Sequence, residues 1–137
     1  MRYGVAFTGS RSWVDMRPIR KCIEQLQRRC SIRGQSLVII HGACPSGVDK
    51  LVDIYARRQD LVIDPHPAEW DRYGKAAGSI RNRTMLERSA PDLLIAFFNP
   101  RDLDKKKSTG TLDCIKSALN LSIPIEFHTA AVERFIF

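Results

Sequence analysis

The feature that most constrains this chain is the alternation of short apolar runs with segments whose apolar residues recur every three or four positions. Runs of strand length read YGVAFT (Tyr3–Thr8), LVIIH (Leu37–His41), LVID (Leu61–Asp64), LLIAFF (Leu93–Phe98) and IPIEF (Ile123–Phe127). Between them, Ile19, Ile23, Leu26 and Cys30 repeat at helical spacing after Pro18, and Val48, Leu51, Val52 and Tyr55 do so after Gly47. Strands that alternate with helices build a parallel sheet joined by crossover helices. The second and fourth runs are apolar without alternation, as strands covered on both faces must be. A third helix is expected over about Lys75–Ser89, ended by Pro91. A fourth is expected over about Thr111–Leu121, burying Leu112, Ile115, Ala118 and Leu119.

With 137 residues, 44% of them hydrophobic, the chain has the size and composition of one core. The expected fold is therefore α/β: a single Rossmann-like domain over residues 1–137, with a mostly parallel five-stranded sheet and helices on both faces. The segment Asn99–Ser108 is polar and turn-rich and reads as a mobile loop, while Ala131–Phe137 has room for a short terminal element. No apolar run approaches the roughly 20 residues that span a bilayer, and a glycine-bearing turn stands where a signal peptide would have its apolar region, so a cytoplasmic protein with no membrane partner is expected.

The formal net charge is +7, and it is concentrated. Residues 1–34 carry eight basic and two acidic groups, residues 71–107 nine and five, and the remaining segments are slightly acidic. Such a surface attracts anions: nucleotides, nucleic acid or acidic lipid. The cysteines Cys22, Cys30, Cys44 and Cys114 lack the spacing of a zinc site, and four in a chain of this length make no disulfide scaffold, so reduced thiols and no metal are expected. Cys44 alone stands in a candidate site loop.

Ligands of open parallel sheets bind beyond the carboxyl ends of the strands, where helix N-termini present free N–H groups. After the first strand comes Thr8-Gly9-Ser10-Arg11. After the second comes His41-Gly42-Ala43-Cys44-Pro45-Ser46-Gly47-Val48-Asp49, and the loop after the fourth ends Ser108-Thr109-Gly110-Thr111. Glycines and small hydroxyl residues let backbone amides approach a phosphate, and three such loops at one sheet edge suit a phosphorylated ligand. The dinucleotide fingerprint GxGxxG and the Walker motif GxxxxGK[ST] are both absent, so an ordinary NAD dehydrogenase and a P-loop NTPase are disfavoured and no resident cofactor is expected. Arg81 is a further anion-binding candidate beside Asn82, with Arg83 on another helix face. Glu69 and Trp70 are candidates for base or ribose contact, Trp70 equally as a packing residue. The histidines His41, His66 and His128 lie at strand ends without a metal spacing and read as structural. No nucleophile elbow GxSxG exposes Ser10 or Ser46 to make a Ser/His/Asp triad.

The same residues carry a family resemblance. TGSR at 8–11, HGACPSGVDKLVDIYA at 41–56, AEWDRYGKAAGSIRNRTML at 68–86, DLLIAF at 92–97 and STGTLDCIKSA at 108–118 resemble the SLOG superfamily, and within it the YpsA-related branch of bacterial and phage proteins. The resemblance covers about residues 3–128. It implies a pocket for a nucleotide or nucleotide-derived small molecule, formed by Gly9, Ser10, Arg11, Gly42, Ser46, Gly47, Asp49, Gly110 and Thr111, in a sensor, a sequestering protein or a minor hydrolase. Arg11 and Arg81 would hold phosphate. Backbone amides at Gly9–Ser10, Ser46–Gly47 and Gly110–Thr111 would complete the anion site, Asp49 would accept from a ribose hydroxyl or cap its helix, and Asn99–Ser108 would close as a lid.

The superfamily also contains the Lonely Guy phosphoribohydrolases, whose motif PGGxGTxxE supplies a glutamate for N-glycosidic cleavage. Here that segment reads Gly110-Thr111-Leu112-Asp113-Cys114, with cysteine in place of the glutamate. A phosphoribohydrolase would need a relocated carboxylate, Asp113 or Glu69, and whether any reaction is catalysed stays open. The HGACPSGVD segment and Arg81-Asn82-Arg83 are similar to elements of the DNA-processing protein A family, which makes single-stranded DNA the alternative partner. The basic residues Arg17, Arg20, Lys21, Arg28, Arg29 and Arg33, together with Lys105, Lys106 and Lys107, would carry that contact. Family members also form dimers through exposed helices, so a homodimer is a further expectation.

Overall fold

The computed structural model describes residues 1–99 and 109–129. The five strands are β1 (Arg2–Gly9), β2 (Ser36–His41), β3 (Val62–Pro65), β4 (Leu93–Phe98) and β5 (Ile125–Thr129). They form one sheet in the order β3-β2-β1-β4-β5, and every pairing is parallel. The helices are α1 (Met16–Arg33), α2 (Gly47–Arg58), a single turn α3 (Trp70–Tyr73), α4 (Ala77–Ser89) and α5 (Thr109–Asn120).

Parallel strands have to be joined by right-handed crossovers, and this strand order distributes the helices accordingly. α1 and α2 cover one face, where Val5, Phe7, Ile39, Ile95 and Phe97 meet Ile19, Ile23, Leu26, Val48 and Val52. α4 and α5 cover the other, where Ala6, Ile40, Leu94 and Ala96 meet Met85, Leu86, Cys114 and Ile115. Consecutive residues of β1, β2 and β4 thus go to opposite cores, which is why those strands show no alternation in sequence.

α1 begins where Asp15 accepts from the Arg17 amide at 3.0 Å, and ends where the Gly34 N–H returns to the Cys30 and Ser31 carbonyls. Its stripe of Ile19, Ile23, Leu26 and Cys30 is buried, while Arg17, Arg20, Lys21, Arg28, Arg29 and Arg33 are all exposed.

Three sequence expectations need correction. The fourth helix was expected to bury Leu112 and Leu119, but these are 43% and 64% exposed, and Thr111, Cys114, Ile115 and Ala118 face the core. The helix is turned because Thr111 and Cys114 fit against the narrow space above Ala6 and Ala96, where leucine side chains would not. The last strand lies two residues later than expected, since Pro124 falls before the ladder rather than inside it. The third helix ends at Ser89 as expected but begins at Ala77 rather than Lys75, because a 3-10 turn (Gly74–Ala76) occupies its expected start, preceded by the single turn α3 that Gly74 caps. The lid expected at Asn99–Ser108 is described only at Asn99. The rest of it, and the terminal element at Ala131–Phe137, lie outside the described residues. None of the described helices is long and apolar enough to cross a membrane.

Candidate functional site: a cleft at the sheet's switch point

The connection reverses direction between β1 and β4, so the loops leaving their carboxyl ends diverge and leave a cleft between them. Gly9 and Gly47 set its floor. A Cβ on Gly9 would run into the Phe97 carbonyl and the Val48 side chain, and one on Gly47 would run into the backbone of Ser10 and Arg11. Gly47 also has φ of 73°, a region that side chains disfavour. This close approach lets the Ser10 carbonyl accept from both the Trp13 and Val48 amides, and the Ser10 amide donate to Phe97 O at 3.0 Å. The N-terminus of α2 is thereby fastened to the loop after β1.

Asp49, 7% exposed in the first turn of α2, accepts from the Cys44 amide at 3.2 Å and holds the β2–α2 loop closed. His41 steadies the same loop. Its Nδ1 accepts from the Ala43 amide at 2.9 Å, which leaves Nε2 to donate to Asp53 at 2.8 Å. Burial works to raise the Asp53 carboxyl, but hydrogen bonds from Arg57 and His41 outweigh it and hold the carboxyl below its ordinary range. His41 is therefore a structural residue with both ring nitrogens occupied.

The opposite wall is built from side chains. Arg81 on α4 reaches across to the Gly42 carbonyl, donates to His66 O at 3.5 Å, and gives its Nε hydrogen to Asn82 Oδ1 at 2.8 Å. Asn82, 4% exposed, spends its amide on Gly110 O at 3.2 Å and Asp113 Oδ2 at 3.1 Å, and Ser79 donates to the other Asp113 oxygen. One asparagine thus joins α4, α5 and the arginine.

The resulting cleft brings together Gly9, Arg11, Gly42, Asp49, Arg81, Asn82, Gly110 and Thr111 from the sequence-predicted set, and holds about 40 Å³. Phe7, Thr8, Cys44 and Met85 complete it; Thr8 and Cys44 stand in the loops expected at this edge without a role assigned to them, and Phe7 and Met85 come from the core. Ser10 lies 1% exposed behind the floor, with its amide committed to Phe97. Ser46 and Thr109 are exposed on the approach. Glu69 lines a separate groove of about 400 Å³ beside the cleft, with His66, Tyr73, Thr84, Arg88 and Arg81. Arg81 is the residue common to both cavities. Trp70 is half exposed beside that groove and near Gly78.

Among the described residues, neither thiol near the cleft is activated as a nucleophile. Burial pushes the Cys44 thiol up, and Asp49 beside it adds to the effect. Cys114, in place of the Lonely Guy glutamate, is fully buried with its thiol raised to about 12 by the same cause. Of the two carboxylates considered for relocation, Asp113 is held by Ser79 and Asn82, and Glu69 stands largely exposed at the groove. The carboxylate that lines the cleft is Asp49. Asp49 is among the residues expected at this edge; what no sequence spacing shows is the contact that places it, the turn that brings the start of α2 against the loop after β1.

A parallel sheet ordered 3-2-1-4-5, with a glycine-floored cleft at the carboxyl edge of its reversal point, defines a Rossmann-like domain. Residues 3–73 match the family described as YspA, cpYpsA-related SLOG (YAcAr). The chain belongs to that family. It is 31% identical over 126 residues to the Gene 61 protein of Mycobacterium phage D29, covering 88% of this chain and 92% of the phage protein. No solved structure matches it significantly.

Proposed function

We propose that the protein binds a nucleotide or nucleotide-derived small molecule, with a phosphate in the cleft and the body of the ligand in the adjoining groove. The observation that carries this reading is the pairing of two cavities of unequal size at one arginine. The cleft has room for about three water molecules and so for an oxyanion, not a nucleoside. The groove has the volume of a small-molecule site, with the Tyr73 ring, cationic Arg72 and Arg88, and the Thr84 hydroxyl around it. Arg11 and Arg81 supply positive charge to the cleft, and Glu69 in the groove supplies an acceptor suited to a ribose hydroxyl. Family membership supports the same class of ligand. Binding without chemistry is the form of this reading that the raised thiols and the engaged Asp113 favour.

The test is calorimetric titration with adenosine 5′-monophosphate and with adenosine, alongside native mass spectrometry for a ligand retained through purification. The monophosphate is expected to bind at least about tenfold more tightly, a difference of about 1.4 kcal/mol. Arg11→Ala, an exposed position whose truncation spares the packing, is expected to remove that difference. Equal affinity for the two compounds, unchanged in Arg11→Ala, would overturn the phosphate assignment. Tight binding of single-stranded oligonucleotide with a steep salt dependence, lost when the exposed arginines of α1 are neutralised, would replace it with the nucleic-acid reading.

A further inference from the structure

Far from the cleft in sequence, three potential metal ligands of different chemistry converge where α1 passes over the edge of the sheet. Glu126 and His128 are two apart on β5 and so share a face. The register with β4 sets them beside Ile95 and Phe97, on the side that α1 covers. Cys22 projects from α1 into that core and is 6% exposed. The thiol sulfur, a carboxylate oxygen and an imidazole nitrogen all lie within 4.8 Å of one another, and His128 Nε2 is 2.8 Å from Glu126 Oε2.

We propose that Cys22, Glu126 and His128 form a site for a zinc-class divalent cation, completed by water. Around tetrahedral zinc, with bonds of about 2.0–2.3 Å, donor atoms stand about 3.3–3.7 Å apart, so the Glu126–His128 pair, 2.8 Å apart, opens by about half an ångström to admit the ion, and the Cys22 sulfur, already within 4.8 Å of both, needs to move by no more than about 1.5 Å. One sulfur, one nitrogen and one oxygen donor match zinc rather than magnesium or calcium, which take oxygen. The His128 ring is already oriented by stacking on Phe97, with centroids 4.6 Å apart and planes 18° apart. Glu126 is exposed and His128 half buried, so the cation enters from the open side and a water takes the fourth position. On binding, the Cys22 proton passes to solvent, the imidazole hydrogen moves from Nε2 to Nδ1, and the metal replaces the hydrogen that joined His128 to Glu126. The bound ion would fasten the edge strand β5 to α1.

The full-length protein, dialysed against cobalt(II), tests this. The expected result is one cobalt per chain, a thiolate-to-cobalt charge-transfer band, the visible absorption of tetrahedral cobalt, and displacement of both by zinc. Cys22→Ser should lose the charge-transfer band, Cys44→Ser should keep it, and His128→Ala should weaken cobalt binding at least tenfold. His128→Ala decides the matter should Cys22→Ser fail to fold by circular dichroism. No charge-transfer band in the unaltered protein, or a band that survives in His128→Ala with undiminished affinity, overturns the site.

Discussion

The two walls of the cleft are made differently. The wall from β1 and α2 is backbone against backbone: Gly9 and Gly47 allow contacts that a single Cβ would block, and the Ser10 carbonyl and amide are spent on Trp13, Val48 and Phe97. The wall from α4 and α5 is side chain against side chain, centred on Asn82 with Arg81, Asp113 and Ser79 around it. The first is a rigid template, because main-chain atoms in contact have no rotamers to exchange. The second is held by groups that can rearrange when an anion competes for Arg81. A site of this construction keeps one half fixed and leaves recognition to the other.

The largest effect is expected from breaking the rigid wall. In Gly9→Ala the new methyl would meet the Phe97 carbonyl and Val48, neither of which can move without shifting a central strand or α2. A destabilisation of about 3 kcal/mol or more is expected in urea unfolding. A change below about 1 kcal/mol would mean that this wall yields and that the contrast between the two is false.

A smaller effect is expected from the side-chain wall. Asn82→Ala leaves the Gly110 carbonyl and one Asp113 oxygen without their donor and frees the Arg81 Nε hydrogen. It should cost about 1–3 kcal/mol of stability. Its effect on affinity for the adenosine 5′-monophosphate probe should be proportionally larger than its effect on folding, since Arg81 loses its orientation. Should Asn82→Ala destabilise as much as Gly9→Ala while leaving ligand affinity unchanged, the second wall is scaffold too.

Much of the first wall could be read in the sequence, and much of the second could not. Glycines after β1 and before α2 are visible as residues, and the strand-end rule places their loops at one edge, where Gly9, Gly42 and Asp49 line the cleft and Gly47 packs against the backbone of Ser10 and Arg11. Arg81 and Asn82 were anticipated as anion-binding residues, but not as a strap and a hub. Those roles depend on partners in positions 42, 66, 110 and 113, which no local spacing links to α4. The orientation of α5 escaped for a different reason. Leucine at 112 and 119 makes the stronger hydrophobic stripe, but the space above Ala6 and Ala96 admits only the smaller face carrying Thr111, Cys114 and Ala118. The grouping of Cys22 with Glu126 and His128 was hidden likewise, since the helix and the edge strand that bring them together are about a hundred positions apart.

The smallest effect should come from behind the rigid wall, where Asp53 ties His41 and hence the β2–α2 loop to α2. In the folded protein the Asp53 carboxyl is held below its ordinary range, so it contributes stability above its unfolded value of about 4 and loses that contribution as pH falls through its folded value. Asp53→Asn removes the charge but keeps the shape. It should cost about 1 kcal/mol near neutral pH, because the carboxylate is partly exposed and only its ionic share is lost. The difference between the two proteins should narrow steadily as the pH is lowered below about 4, where the native carboxyl also takes up a proton. Urea unfolding of both proteins from pH 7 to pH 3 measures it. A difference that stays constant across that range would mean that Asp53 acts by shape alone. The loop would then owe its position entirely to the glycine contacts, making the rigid wall more purely a main-chain structure than its hydrogen bonds imply.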